Sequence, residues 1–160
     1  MLIGRKYINF FSKAYSGKTD SILNYDLTKN MGKNGTLLFF IHQDFYPTST
    51  SEIIELNQKH QNFVNLGVNP IVISVDSELT HQQLVKNLKD KKTINNMSLD
   101  FVSDISKEIS RDYLVLFEEG YSLPSTIFID KKGIIKYFST GSVEVKRDID
   151  SILKTIATYQ

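Results

Sequence analysis

Gly35-Thr36-Leu37-Leu38-Phe39-Phe40-Ile41 is the stretch that decides the fold. After the glycine the run is continuously apolar and rich in β-formers, with no polar residue at alternate positions. A strand of that kind is buried on both faces, as in the centre of a parallel sheet. Downstream the period changes. From Thr50, Ile53, Leu56, His60 and Phe63, with Ile54 and Val64 beside them, line one stripe at helical spacing, and Gly67 supplies a C-terminal stop. Ser49 or Thr50 is the natural N-cap, and Glu52 falls in the first turn, where a negative charge favours the helix dipole. Pro70-Ile71-Val72-Ile73-Ser74-Val75, bounded by Asp76, then reads as a second buried strand. The order is β-α-β.

Moving outward, Thr80 to Lys91 sets Leu84, Val85 and Leu88 among Gln and Lys, the pattern of an amphipathic surface helix. Lys89-Asp90-Lys91-Lys92 is its solvated end. Ile105 to Tyr113 makes a short third helix. Ser125-Thr126-Ile127-Phe128-Ile129-Asp130, a Lys132-Gly133 turn and Ile134-Ile135-Lys136-Tyr137-Phe138 form a β-hairpin, and Ile149, Ile152, Leu153 and Ile156 mark the apolar face of a closing helix. Residues 1–35 scatter Tyr7, Phe10, Phe11 and Tyr15 among Gly, Ser, Asn and Lys, which suits short strands and turns better than a helix. With no repeat, linker or low-complexity stretch, residues 1–160 are expected to form one domain. A β-α-β unit followed by helix, hairpin and helix is the arrangement of a thioredoxin-like α/β sandwich.

Composition excludes several classes of function. Nineteen basic residues against eighteen acidic give a formal charge of +1, without the basic excess of a nucleic-acid surface. No apolar run approaches the roughly 20 residues of a membrane span, and the opening Met1-Leu2-Ile3-Gly4-Arg5-Lys6 lacks the order of a secretion signal, so neither nucleic acid nor membrane is expected as a partner. A cytoplasmic location follows as an expectation. The sequence contains no cysteine, which removes disulfides, thiolate ligands and thiol nucleophiles together. His42, His60 and His81 fall on three separate elements without the close spacing of a metal site, so no metal or other cofactor is expected. Gly32-Lys33-Asn34-Gly35-Thr36 enters a strand and fails the spacing of a phosphate loop.

Taken in order, Leu37-Leu38-Phe39-Phe40, Asp44-Phe45, Ser51-Glu52-Ile53-Ile54, Leu66-Gly67-Val68 and Ser74-Val75-Asp76-Ser77, with Thr80-His81 following, resemble typical two-cysteine peroxiredoxins of the alkyl hydroperoxide reductase type. Ser110-Arg111-Asp112-Tyr113, Glu118-Glu119-Gly120 and Phe128-Ile129-Asp130-Lys131-Lys132-Gly133 continue the likeness, which covers nearly the whole chain. The resemblance implies a thioredoxin-like three-layer sandwich, with a central mixed β-sheet and helices on both faces. It also implies thiol-dependent peroxide reduction and pairing of the 134–140 strand across a two-fold. That pairing would make homodimers, or rings of them, through Ile134, Ile135, Lys136, Tyr137 and Phe138; assembly with an active paralogue is the alternative.

The same resemblance marks where the activity should fail. In the family a P-x-x-x-T-x-x-C motif follows the central strand, and its Cys attacks the peroxide as a thiolate from the first turn of a helix. Asp44-Phe45 and Ser51-Glu52 fix the register, so His42 falls on the motif's Pro, Tyr46 on its Thr and Ser49 on its Cys. The Arg that should precede the Phe128-Ile129-Asp130 strand is replaced by Pro124, which leaves Glu52 without its usual partner. Ser49, Tyr46, His42, Glu52 and Pro124 are thus expected to form a degenerate peroxidatic pocket with no functional catalytic residue. Peroxide reduction passes through a sulfenic acid, and a serine hydroxyl has no sulfur to oxidise. The resolving cysteine of two-cysteine members lies in a C-terminal arm, and these residues contain none.

Two finer expectations attach to the pocket. A Ser49–His42 dyad oriented by Asp44 is chemically available, but a capping Ser49 and a strand-end His42 account for the same residues without catalysis. The Tyr46 ring is expected to fill the vacated space. Leu123-Pro124-Ser125 resembles the cis-proline turn of thioredoxin-like proteins.

Overall fold

In the computed structural model, residues 1–118 and 120–160 are described. Glu119, from the Glu118-Glu119-Gly120 stretch of the resemblance, lies outside the described residues. The chain order is β1 (Phe11–Ser16), β2 (Ser21–Asp26), a 3-10 turn (Leu27–Asn30), β3 (Gly35–Phe40), α1 (Pro47–Gln58), α2 (His60–Leu66), β4 (Val68–Ser74), α3 (Glu78–Asp90), β5 (Asp100–Ser103), α4 (Glu108–Asp112), β6 (Ser125–Asp130), β7 (Ile135–Thr140) and α5 (Ile149–Ala157).

The strands lie in the orders β2-β1-β5-β4 and β3-β6-β7. β3 and β4 join the two halves, with the Ile41 N–H donating to the Ile73 carbonyl at 2.9 Å just past the end of β3. β4 and β5 run parallel and the other registered pairs antiparallel, so the seven-stranded sheet is mixed. Every residue of β3 is buried, as its unbroken apolar run requires. Leu37, Phe39 and Ile41 pack on one side with Ile53 and Leu56 of α1, Phe63 of α2, Leu84 and Val85 of α3, and Ile152 and Ile156 of α5. Leu38 and Phe40 face the other side, where Ile109 of α4, Tyr113, Leu2, Phe10 and Leu27 cover the sheet. Helices therefore cover both faces.

Four expectations change. The helix after β3 starts earlier than Thr50: Pro47 takes its first turn, Tyr46 holds the cap position with φ −70° and ψ 130°, and no side chain caps it. Proline's missing N–H and fixed φ suit that position, so Ser49 is the third helical residue rather than the cap. The helix also breaks at Lys59 into α1 and α2. β5, absent from the sequence reading, pairs Ile71 with Asp100 and Ser74 with Ser103. The outer edge of β7 is not wholly free: Gly4 donates to Ile135 O and Ile135 N to Arg5 O, both at 2.8 Å, while Lys6 bridges Ile134. The backbone at Ile134 and Ile135 is therefore already paired within the chain. Gly67 ends α2 in the left-handed region with φ 73°, as expected.

Candidate functional site

The chain leaves β3 through Ile41 and His42, turns at Asp44-Phe45 and enters α1 at Pro47. This brings Ser49 and Glu52, one turn apart on the buried side of α1, against the end of the sheet. Ser49 is 2% exposed and Glu52 1%. The Phe40↔Ser125 register pair places Pro124 one residue beyond the same strand end. All five residues picked from sequence therefore gather at one corner. No cis peptide bond occurs among the described residues, so Leu123-Pro124 is trans.

Glu52 has not lost its cation. Arg147, on the segment entering α5, donates from Nε to Glu52 Oε2 at 2.7 Å and from Nη2 to Oε1 at 2.9 Å, while its backbone N–H reaches Oε2 at 2.8 Å. The remaining guanidinium hydrogens go to Phe40 O at 2.9 Å, Ser125 O at 2.8 Å and Thr126 Oγ1 at 3.2 Å. All five guanidinium donors are thereby used. The group also lies 3.6 Å from the centroid of the Phe39 ring. A buried carboxylate survives only when paired and hydrogen-bonded, and this bidentate clamp supplies both conditions. It ties α1, β3, β6 and the start of α5 together. The expectation that Glu52 stands without a partner is corrected: Arg147 supplies a guanidinium from elsewhere in the chain.

The other half of the corner is aromatic. The His42 ring meets Tyr46 edge-on with centroids 4.6 Å apart, and Tyr121 likewise at 4.0 Å. Tyr121 in turn lies 5.8 Å from Phe117. The Tyr46 ring therefore packs against His42. His42 is buried and its Nδ1 has no hydrogen-bond partner. Burial holds its pKa below the ordinary imidazole value, outweighing the pull of Asp76.

No hydrogen bond joins Ser49 to His42 among the described residues, and the Asp44 carboxylate turns to a different imidazole. Asp44 Oδ2 lies 2.6 Å from His81 Nδ1, both side chains fully buried. The Ser49–His42–Asp44 dyad and its orienter are thus not assembled. No group of three or more His, Asp or Glu side chains is arranged to hold a metal ion among the described residues. No helix there is long and apolar enough to cross a membrane.

Arg147, Tyr121 and the Asp44–His81 pair are what the sequence reading missed. One signal pointed to Arg147: Glu52 lies on the apolar stripe of α1, where a carboxylate needs a cation, and the chain has only three arginines, Arg5, Arg111 and Arg147.

Residues 3–138 match the model of the AhpC/TSA family. Over 156 residues the chain is 34% identical to "Alkyl hydroperoxide reductase C" of Helicobacter pylori, covering 98% of this chain and 79% of that one. It is 28% identical to the chloroplastic 2-Cys peroxiredoxin BAS1 of Hordeum vulgare over 160 residues, 99% of this chain and 75% of the relative. Among solved structures, the reduced 2-Cys peroxiredoxin of Plasmodium vivax superposes with a TM-score of 0.90 at 34% identity, covering 98% of this chain and 81% of the other. Mycobacterium tuberculosis AhpC, at 21% identity and a TM-score of 0.87 over 99% of this chain and 97% of its own, shares the fold. A seven-stranded mixed sheet flanked by helices, an α1 corner keyed by Glu52 and these matches together make the chain a cysteine-less member of the AhpC/TSA peroxiredoxin family.

Proposed function

We propose that this chain is a pseudoenzyme: a single peroxiredoxin-type domain that does not reduce peroxides by thiol chemistry and serves through its scaffold, by binding or assembly. The observation that carries the reading is the corner at α1. No sulfur is available where the resemblance places the peroxidatic cysteine, and Ser49 stands there instead. The nearby guanidinium supports the same reading, because every donor of Arg147 is committed to protein acceptors and none is left for a peroxide oxygen. Tyr46 and His42 occupy the remaining side with rings.

Homo-oligomer formation belongs to this reading, with Lys136 to Phe138 as the part of β7 still open to a partner strand. Assembly as a modulating subunit of an active paralogue uses the same edge. A cytoplasmic location is included as well, and cell fractionation checks it. The competing reading, a thiol-dependent peroxide reductase, is what the relatives' names would imply; it requires a thiol that these residues do not contain.

The test restores the sulfur. Purified Ser49→Cys protein should carry one alkylatable thiol and still turn over peroxide little faster than the unmodified chain. Substantial thiol-dependent turnover in that single variant would show that only the sulfur was lost and that the pocket remains competent. Sedimentation velocity at micromolar concentration, alone and with any protein that co-purifies from the native cell, tests the assembly half. A strict monomer without a partner would contradict it.

A further inference from the structure

β2 is the outermost strand of the sheet half ordered β2-β1-β5-β4, and among the described residues only β1 pairs with it. Their register runs from Phe11↔Asp26 to Ser16↔Ser21 without a shift. The outward N–H and C=O groups of such a strand are open to another chain, and proteins ordinarily guard them with lysine, proline, a bulge or a covering segment. β2, Ser21-Ile22-Leu23-Asn24-Tyr25-Asp26, has no lysine, arginine or proline. At its end the Asn30 amide donates to the Asp26 carbonyl at 2.7 Å; the backbone from Ile22 to Tyr25 bonds to nothing outside β1 among the described residues. At the opposite edge of the sheet, Gly4 to Lys6 already pair with the start of β7, and β6 and β7 meet with a register shift.

The face beside the open edge carries positive charge. Phe11 and Lys13 of β1 stand across from Asp26 and Asn24, and the two-residue period of a strand puts Ile22 on the same face. Phe11 is 75% exposed and Ile22 37%. Phe11, Lys13, Asn24 and Asp26, with Lys29 and Asn30 of the following turn, line a cleft of about 620 Å³. The Lys13 ammonium donates to the Asn24 side-chain oxygen at 2.7 Å, which carries the charge onto the edge strand without compensating it, because an amide is neutral. Lys29 is exposed, and neither lysine makes an ion pair among the described residues. The one carboxylate in the cleft is turned to internal donors: Asp26 Oδ1 accepts the Thr28 N–H at 3.1 Å and the Asn9 amide at 3.2 Å. Two ammonium groups are thus presented outward beside an unguarded strand.

We propose that the β1–β2 hairpin is a docking site for an extended acidic segment of another protein. The segment adds to β2 as a further strand, its carboxylates on Lys13 and Lys29 and an apolar side chain on Ile22. Main-chain hydrogen bonds along β2 supply the attachment, and the charge pattern selects the partner. This surface is separate from the α1 corner and from β7, so it stands apart from the pseudoenzyme reading.

Fluorescence anisotropy and NMR of the full chain test it, with a labelled peptide Thr-Val-Thr-Glu-Thr-Glu-Thr as the probe. The peptide should bind saturably and slow amide exchange at alternate residues of β2. In the double variant Lys13→Glu with Lys29→Glu, whose exposed positions leave the core untouched, the affinity should fall by about tenfold or more. The same peptide N-methylated throughout cannot form the strand and should not bind. Several results would overturn the proposal: no saturable binding up to millimolar peptide, equal binding of the N-methylated peptide, or equal binding of a version with lysine in place of glutamate. A concentration-dependent protection of β2 without any peptide would overturn it as well, since the edge would then belong to a second copy of the chain.

Discussion

The two halves of the α1 corner have fared differently. On one side, Glu52 and Arg147 keep a fully bonded bidentate clamp beneath the helix. On the other, within one helical turn, the positions that the resemblance assigns to Pro, Thr and Cys hold His42, Tyr46 and Ser49, packed as rings and a buried hydroxyl. The difference separates what the fold needs from what the chemistry needed. A buried carboxylate that loses its partner destabilises the protein directly, whereas a replaced nucleophile costs no folding free energy if its successor packs. The clamp is kept because it holds α1, β3, β6 and α5 together.

The largest expected effect therefore lies on the clamp. Arg147→Met leaves the Glu52 carboxylate buried and unpaired and should cost about 3–5 kcal/mol in denaturant unfolding. A loss under about 1 kcal/mol would show that the clamp is dispensable and would dissolve the contrast between the two halves. The double change Arg147→Met with Glu52→Leu should recover much of that loss, since it removes the stranded charge along with its partner.

The aromatic half should answer to pH. His42 has its pKa lowered by burial, and so does His60, with Lys18 adding to the effect there. The unfolded chain then binds more protons than the folded one, so stability is fully present above the ordinary imidazole pKa and is lost as pH falls below it. His42→Phe removes one contributor while keeping an aromatic ring, and its stability should fall less steeply on acidification from neutrality. The flattening is at most about 1.4 kcal/mol per pH unit. An unchanged slope in a series of thermal or denaturant melts would mean that His42 titrates normally and that the cluster is wetter than its packing indicates.

Ser49→Ala should have the smallest effect, within about 0.5 kcal/mol of the unmodified chain. Loss of a true N-cap costs about 1 kcal/mol, so a value of that size would reinstate Ser49 as the cap.

Much of this architecture was legible because burial leaves a periodic signature. The all-apolar β3, the helix stopped by Gly67, the β4 run and the closing helix all show in hydrophobic pattern and turn residues. β5 was not, because Asp100-Phe101-Val102-Ser103 is too short to carry a period and is made a strand by its neighbours, β1 and β4. The start of α1 was misplaced because Ser and Thr compete for a cap that the Tyr46-Pro47 step had already fixed. Of the corner, the residues adjacent in sequence were found and the distant one was missed. Arg147 is 95 positions from Glu52, and no spacing rule joins them. Asp44 was weighed only as an orienter of the nearer His42, and the fold hands it His81 across the β3–α3 gap.

Peroxide turnover with a thiol reductant tests the central claim most directly. The purified chain, mixed with hydrogen peroxide or an organic hydroperoxide and a thioredoxin-type or small-molecule thiol donor, should consume peroxide no faster than buffer with the same donor. Saturable consumption that depends on both the protein and the thiol would contradict the account.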